Sequence, residues 1–155
     1  MNDNSNQRPK LVPGKVIENY IVEAFLGGGG YGDVYSVLDN QRNKKYALKI
    51  EFYDSEKQGL EEEVQCLKNL QGTPLLPKLI ATGSYENFRY LIMELLGPSV
   101  SNMRRAMLNR KYSTYTTLAV AFHMLECIEE LHRRGIIHRD IKPGNFLIRP
   151  DRDNN

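Results

Sequence analysis

The chain has 155 residues, with 41% hydrophobic and 26% charged side chains and a formal net charge of +2. These values are those of a globular protein that can bury a hydrophobic core. The small charge surplus gives no indication of nucleic acid, no apolar run approaches the roughly 18 residues of a membrane span, and the polar N-terminus lacks a signal-peptide core. We therefore expect an intracellular protein, in the cytoplasm or the nucleus, with no nucleic-acid partner and no membrane span.

The first part of the chain has the pattern of short strands. After residues 1–13, which are polar and predict a disordered lead-in, apolar and β-branched runs alternate with Gly and Asn. Five strands are predicted, at residues 20–26, 33–39, 45–52, 79–85 and 88–95. Between the third and fourth strands, apolar residues at spacings of three and four predict one helix over residues 55–70.

The pattern changes at Gly97 and Pro98. Beyond this break the sequence predicts helices over residues 99–109 and 115–134, and Gly135 ends the second helix as a C-terminal cap residue does. We therefore predict an α+β fold. A five-stranded antiparallel β lobe with one helix, residues 14–96, is hinged to the start of a helical lobe, residues 97–155.

A run of glycines joins the first two predicted strands. Gly27, Gly29 and Gly32 fit the pattern G-x-G-x-x-G, in which backbone N–H groups approach phosphate oxygens because no Cβ stands in the way. A dinucleotide-binding fold would need a helix directly after the run, whereas residues 34–38 have a strand pattern. A P-loop would need Lys and Ser or Thr after the last glycine, where an Asp-Val pair stands. A glycine hairpin with Val34 two residues after Gly32 instead matches the protein-kinase pattern G-x-G-x-x-G-x-V.

The third predicted strand carries a lysine in a recognisable setting. Ala47, Leu48 and Lys49 correspond to the end of the Val-Ala-Ile-Lys motif of protein kinases. An ammonium group at this place is needed for the α- and β-phosphates of ATP. A lone strand lysine usually faces solvent, so the motif around Lys49 is what indicates a role in nucleotide binding and catalysis.

Residues 138–145 carry the strongest signal in the chain. Their order, His-Arg-Asp-Ile-Lys-Pro-Gly-Asn, fits the catalytic loop H-R-D-x-x-x-x-N at each fixed position, with lysine at the place typical of serine/threonine kinases. Phosphoryl transfer depends on positioning and charge neutralisation more than on covalent chemistry. Asp140 can accept the proton of a substrate hydroxyl, Lys142 can offset charge on the transferred group, and Asn145 can offer an amide oxygen to Mg²⁺.

From about Tyr20 to Ile148 the chain resembles the casein kinase I group of protein kinases, including its tau-tubulin kinase branch. The likeness at group level lies in Met-Glu-Leu-Leu-Gly-Pro-Ser at residues 93–99, Leu-Gln-Gly at residues 70–72 and Asn-Phe-Leu at residues 145–147. The resemblance implies a protein-kinase fold and a serine/threonine protein kinase. Such an enzyme transfers the γ-phosphate of ATP, with Mg²⁺, to hydroxyl groups of protein substrates.

The resemblance also implies roles for residues of the nucleotide site. Glu63 corresponds to the helix glutamate that pairs with Lys49, and its neighbours Glu61 and Glu62 remain alternatives. Met93 corresponds to the gatekeeper residue beside the adenine. The backbones of Glu94 and Leu96 are implied to contact the adenine edge. The implied contacts of the adenine ring are Leu26, Val34, Ala47 and Leu147. The implied contacts of the phosphates are Gly27, Gly28, Gly29, Gly30, Tyr31 and Gly32.

The sequence departs from the family pattern after Asn145, because Asp-Phe-Gly does not occur in the remaining residues. In the family, the aspartate of that motif holds Mg²⁺ against the phosphates. We therefore expect a truncated kinase domain in which phosphoryl transfer by this chain alone is weak or absent. The alternative is a catalytically inactive module, like a pseudokinase, that binds nucleotide or a partner protein. Retention of Lys49, Asp140 and Asn145 speaks against a decayed site.

Overall fold

The computed structural model describes residues 9–30 and 32–150. Residues 1–8 of the predicted lead-in, Tyr31 and residues 151–155 lie outside the described residues. The chain divides into two compact units. The first comprises the residues up to Lys68 together with Lys78–Leu95, and the second comprises Asn69–Pro77 together with the residues from Leu96.

The first unit contains one antiparallel sheet and one helix. In chain order the elements are β1 (Val16–Ile17), β2 (Tyr20–Gly29), β3 (Gly32–Asp39), β4 (Lys44–Phe52), α1 (Leu60–Asn69), β5 (Leu79–Tyr85) and β6 (Phe88–Glu94). The strands lie in the order β1-β2-β3-β4-β6-β5, and each neighbouring pair is antiparallel. The predicted α+β class is confirmed. The predicted strand number is wrong by one, because the two residues of β1 pair with the start of β2.

The glycine run belongs to the strands rather than to a loop between them. Gly27 pairs with Val34, and Gly29 pairs with Gly32, so β2 and β3 extend further than the predicted ends at residues 26 and 33. Hydrogen bonds between strands join backbone groups and need no side chains, so these glycines pair in the sheet despite the low strand propensity of glycine. Leu26 lies at an irregularity of the pairing, where β2 contains one residue more than β3.

Successive side chains of β4 point to opposite faces of the sheet, and each face carries its own apolar cluster. On one face of the sheet, Leu48 and Ile50 are completely buried in a cluster with aromatic and aliphatic residues of all the long strands. On the other face, Leu91 of β6 is buried against α1. The residues of α1 in this second cluster recur at helical spacing and are Leu60, Val64 and Leu67. Lys49, between Leu48 and Ile50, therefore projects toward the face that carries α1.

Helix α1 begins later than the pattern predicts. The predicted start at residue 55 is wrong, because the first helical residue is Leu60. The carboxylate of Glu51, at the end of β4, accepts hydrogen bonds from the backbone N–H groups of Gly59 (2.7 Å) and Leu60 (3.0 Å). These contacts satisfy N–H groups at the first turn that have no partner within the helix.

The second unit contains α2 (Val100–Ala106) and α3 (Thr114–Arg133), with a 3₁₀ turn at Leu108–Arg110 between them. Both helices start at a serine that caps a backbone N–H, since Ser99 accepts from Asn102 (3.1 Å) and Ser113 accepts from Thr116 (3.1 Å). The first predicted helix of this unit extended to residue 109, but Asn109 has a φ of 62°, which the α-helix does not allow.

Helix α3 is long but exposes much of its apolar side. Tyr115, Leu118, Phe122 and Leu125 are all exposed, whereas Leu131 near the C-terminal end is buried. Gly135, with a φ of 72°, follows the helix end as predicted. Within residues 9–30 and 32–150, no helix is both long enough and apolar enough to cross a membrane.

Replacement of Gly32 by alanine tests the tight glycine hairpin. The φ of Gly32 is 113°, and a Cβ at this position would lie 2.2 Å from the carbonyl oxygen of Ile50. We expect Gly32→Ala to lower the free energy of unfolding by about 1–3 kcal/mol, measured by urea denaturation. Gly29→Ala is the control, because a Cβ there meets no atom within 4 Å. Equal urea midpoints for the two variants would show that the hairpin is not held in this geometry.

Candidate functional site

The glycine hairpin presents backbone without side chains. A Cβ at Gly28 would lie 2.1 Å from Oδ1 of Asp33, and a Cβ at Gly32 would meet the backbone of β4. Gly28, Gly29 and Gly30 are exposed. A Cβ at Gly27 or Gly29 would meet no atom within 4 Å, so a ligand can approach the backbone at these two positions, and phosphate binding there stays a prediction. The predicted contact of Tyr31 lies outside the described residues.

Lys49 lies directly across the sheet from the hairpin. Gly27 pairs with Val34, and Val34 pairs with Lys49, so these three residues form one row across β2, β3 and β4. The Lys49 side chain is 15% exposed, and its ammonium group forms an ion pair with the carboxylate of Glu63 in α1. The carboxylate of Glu61 contacts Arg89 instead (3.1 Å). Of the three glutamates that the sequence left open, the structure pairs Glu63 with Lys49.

Residues predicted to contact the adenine occur in each of the two units. Within the sheet, Ala47 is buried and pairs with Met93 of β6, and Val34 is partly buried on the neighbouring strand. Leu26 is exposed at the irregularity of β2. The remaining predicted contacts to the adenine are Glu94 in the first unit and Leu96 and Leu147 in the second unit.

Glu94 has a backbone hydrogen bond within the first unit. The N–H of Glu94 donates to the carbonyl oxygen of Lys78 (2.8 Å). This N–H is therefore engaged, and the contact of the Glu94 backbone with an adenine edge stays a prediction. After the hinge, the N–H of Gly97 donates to the carbonyl oxygen of Ile148 (2.8 Å), and the N–H of Val100 donates to that of Phe146 (2.8 Å). These bonds fix the chain on the C-terminal side of the catalytic loop.

The catalytic loop closes around Asp140. Nζ of Lys142 donates to Oδ2 of Asp140 (2.7 Å), and Nδ2 of Asn145 donates to the same oxygen (3.0 Å) and to the Asp140 carbonyl oxygen (2.7 Å). A 3₁₀ turn at Pro143–Asn145 brings the amide back to the aspartate. The N–H of Asp140 donates to Nδ1 of His138 (3.2 Å). The structure thus brings the three predicted residues of this loop together, while their catalytic roles stay predictions.

The contacts of Asp140 lower its pKa. The hydrogen bond from Lys142 is the largest cause, and the hydrogen bond from Asn145 is the next. Both stabilise the ionised carboxylate. At neutral pH Asp140 is therefore an acceptor-only group that can orient a hydroxyl by accepting its hydrogen bond.

The described residues offer a metal ion only part of a coordination shell. Because Nδ2 of Asn145 faces Asp140, the amide oxygen is directed away from these two bonds. An amide oxygen is a ligand of the kind that Mg²⁺ takes. Among residues 9–30 and 32–150, no three His, Cys, Asp or Glu side chains are grouped closely enough to hold a metal. The chemistry of Asn145 fits a metal ion whose other ligands are phosphate oxygens and water.

Sequence reasoning missed one residue beside the pair of Lys49 and Glu63. Glu51 follows Lys49 by two residues on β4, and it is 2% exposed. Its carboxylate binds the start of α1, the helix that carries Glu63. An acidic residue two positions after a motif lysine, and therefore on the same face of the strand, was the available signal.

Comparison with known proteins gives consistent matches. The family model of the protein kinase domain matches residues 20–154. A Dictyostelium discoideum protein named "probable serine/threonine-protein kinase" is 37% identical over 123 residues, which cover 79% of this chain and 25% of that protein. A Caenorhabditis elegans protein named "putative casein kinase I" is 31% identical over 142 residues, which cover 89% of this chain and 42% of that protein. The chain thus spans less than half the length of each of these two relatives.

An NMR titration of the Asp140 carboxyl carbon tests the electrostatics of the loop. In metal-free buffer we expect Asp140 to stay ionised as the pH falls below the range in which an ordinary aspartate protonates, because its pKa is lowered. Removal of the ammonium group in Lys142→Met should raise this pKa toward the ordinary value. Lys111→Met, at another exposed lysine, is the control and should leave it unchanged. An identical Asp140 titration in Lys142→Met and wild type would contradict the contact.

Proposed function

This chain belongs to the protein kinase family, and we propose that it acts in the transfer of the ATP γ-phosphate to serine and threonine hydroxyls of protein substrates, as a casein kinase I-like enzyme. The names of the two relatives support the serine/threonine class and the casein kinase I group. The observation that carries the proposal is the cluster of Asp140, Lys142 and Asn145, which combines a carboxylate acceptor, a cation and an amide within one loop.

Each residue of the loop has a part in the proposed reaction. The Asp140 carboxylate accepts a hydrogen bond from the substrate hydroxyl and takes its proton as the oxygen attacks the γ-phosphorus. A bond then forms between that oxygen and the γ-phosphorus, and the bond between the γ-phosphorus and the β–γ bridging oxygen breaks. The Lys142 ammonium, already 2.7 Å from Asp140, offsets negative charge on the transferred group.

The first unit supplies the proposed ATP contacts. Backbone N–H groups of the glycine hairpin bind the β- and γ-phosphates, and Lys49, oriented by Glu63, binds the α- and β-phosphates. Val34 and Ala47 pack on the adenine ring, with Met93 beside it. The adenine contacts of Leu96 and Leu147 remain predictions from the family resemblance.

The proposed metal ion is Mg²⁺. Asn145 would hold it through its amide oxygen, with phosphate oxygens of the nucleotide as further ligands. When bound, the ion neutralises charge on the phosphates.

Two variants separate nucleotide binding from phosphoryl transfer. We expect the 155-residue chain to bind ATP in the presence of Mg²⁺, measured by calorimetry, and Lys49→Met to weaken this binding by about tenfold or more. Because we expect transfer by this chain alone to be weak or absent, Asp140→Asn should keep the ATP affinity of wild type and lose any slow phosphate transfer to casein that the wild-type chain shows. Lys45→Met is the control, because Lys45 lies on the same strand in an exposed ion pair with Glu23 (3.0 Å).

The outcomes distinguish the proposal from its rival. Slow transfer by the wild-type chain that Asp140→Asn loses would support the kinase, whereas ATP binding without any transfer would make this chain, taken alone, the inactive nucleotide-binding module. Transfer that is equally fast in Asp140→Asn would contradict the role of the loop. Absence of ATP binding to the wild-type chain would contradict the nucleotide site itself.

A further inference from the structure

Glu51 is a buried carboxylate that the proposed reaction does not use. It is 2% exposed, and its atom Oε2 accepts the N–H of Gly59 at 2.7 Å and the N–H of Leu60 at 3.0 Å. A carboxylate is costly to bury unless hydrogen bonds satisfy it. These two bonds supply partners and place a negative group at the N-terminal end of α1, where the helix dipole is positive.

The position of Glu51 on β4 links this cap to Lys49. Side chains two residues apart on a strand lie on the same face of the sheet. Lys49 and Glu51 therefore both face α1: Lys49 contacts the side chain of Glu63, and Glu51 accepts backbone N–H groups at the helix start. Glu63 follows Leu60 by three residues, so it stands about one helical turn beyond the capped N–H.

We propose that Glu51 is a positioning residue that holds the first turn of α1 on β4, so that Glu63 reaches the ammonium group of Lys49. The nucleotide part of this inference rests on the proposed function. Strand β4 thereby carries Lys49, which binds phosphate in the proposed function, and through Glu51 it also positions Glu63, which orients Lys49.

A second ion pair joins α1 to the sheet but is of a different kind. Arg89 of β6 contacts Glu61 at 3.1 Å, with side chains that are 38% and 71% exposed. Exposed pairs of this type contribute little, because water screens them and two long side chains must be immobilised. Glu61 is therefore a matched control for Glu51, since it is another glutamate that joins the first turn of α1 to the sheet but lies outside the buried cap.

The anchor can be measured without nucleotide. We expect Glu51→Met to speed hydrogen exchange of the amides in residues 59–69, because the first turn of α1 loses its acceptor. Glu51→Gln should keep the protection, since both bonds go to a single oxygen that the glutamine carbonyl can replace. Glu61→Gln should exchange as wild type. Unchanged protection in Glu51→Met would overturn the anchor whatever the chain binds.

Nucleotide affinity then tests whether the anchor acts through Glu63. We expect Glu51→Met to weaken ATP binding by about tenfold, and Glu51→Gln to stay within about threefold of wild type. In a double-mutant cycle, Glu51→Met should add little to the loss in Glu63→Gln, because both remove the same orientation of Lys49. Fully additive losses would overturn a positioning role and leave only a structural one.

Failure of the proposed function gives a different result. If the wild-type chain binds no ATP while Glu51→Met still loses α1 protection, the anchor stands and the nucleotide site fails. If Glu51→Met does not fold, Glu51→Gln becomes the test, because its side chain keeps one carbonyl oxygen. Loss of hydrogen-exchange protection in α1, or loss of ATP affinity, in folded Glu51→Gln would contradict the proposal that a single oxygen of residue 51 accepts both N–H groups.

Discussion

The ion pair between Lys49 and Glu63 is the interaction on which the first unit depends. A lysine whose side chain is 15% exposed needs a charged partner, because an unpaired buried charge is strongly unfavourable. Strand alternation directs Lys49 away from the aromatic core of the sheet and toward α1, whose apolar residues cover Leu91. The glutamate must then lie on the inner side of α1, and the register of the strands places Val34 and the glycine hairpin beside the lysine.

Each unit contains one group of candidate residues, and the two groups are assembled differently. In the second unit, Asp140, Lys142 and Asn145 contact one another within the six residues 140–145, so the local chain is enough to assemble them. In the first unit, Lys49 and Glu63 are 14 residues apart and on different elements. Their contact requires the sheet, the helix and the turn between them to be formed correctly.

This difference explains what could be predicted from the sequence. The catalytic loop was recognisable because its residue types stand at fixed short spacings, and the α+β class followed from strand and helix periodicity. The start of α1 was missed because its cap comes from Glu51, eight residues before Gly59, rather than from a neighbouring Ser, Thr, Asp or Asn. The strand pairing of Gly27 and Gly29 was missed because it depends on backbone hydrogen bonds, which residue propensity does not report. The resemblance implied Glu63 as the partner of Lys49, and the structure shows this pair, while Glu61 contacts Arg89.

An NMR titration of the ¹⁵N-labelled chain with ATP and Mg²⁺ measures most directly whether Lys49 and Glu63 organise a nucleotide site. We predict saturable shifts of amide signals that are largest in residues 27–32 and around Lys49 on β4, and that weaken together in Lys49→Met. Shifts confined to other parts of the chain, or shifts that are the same in Lys49→Met, would contradict a nucleotide site centred on this ion pair.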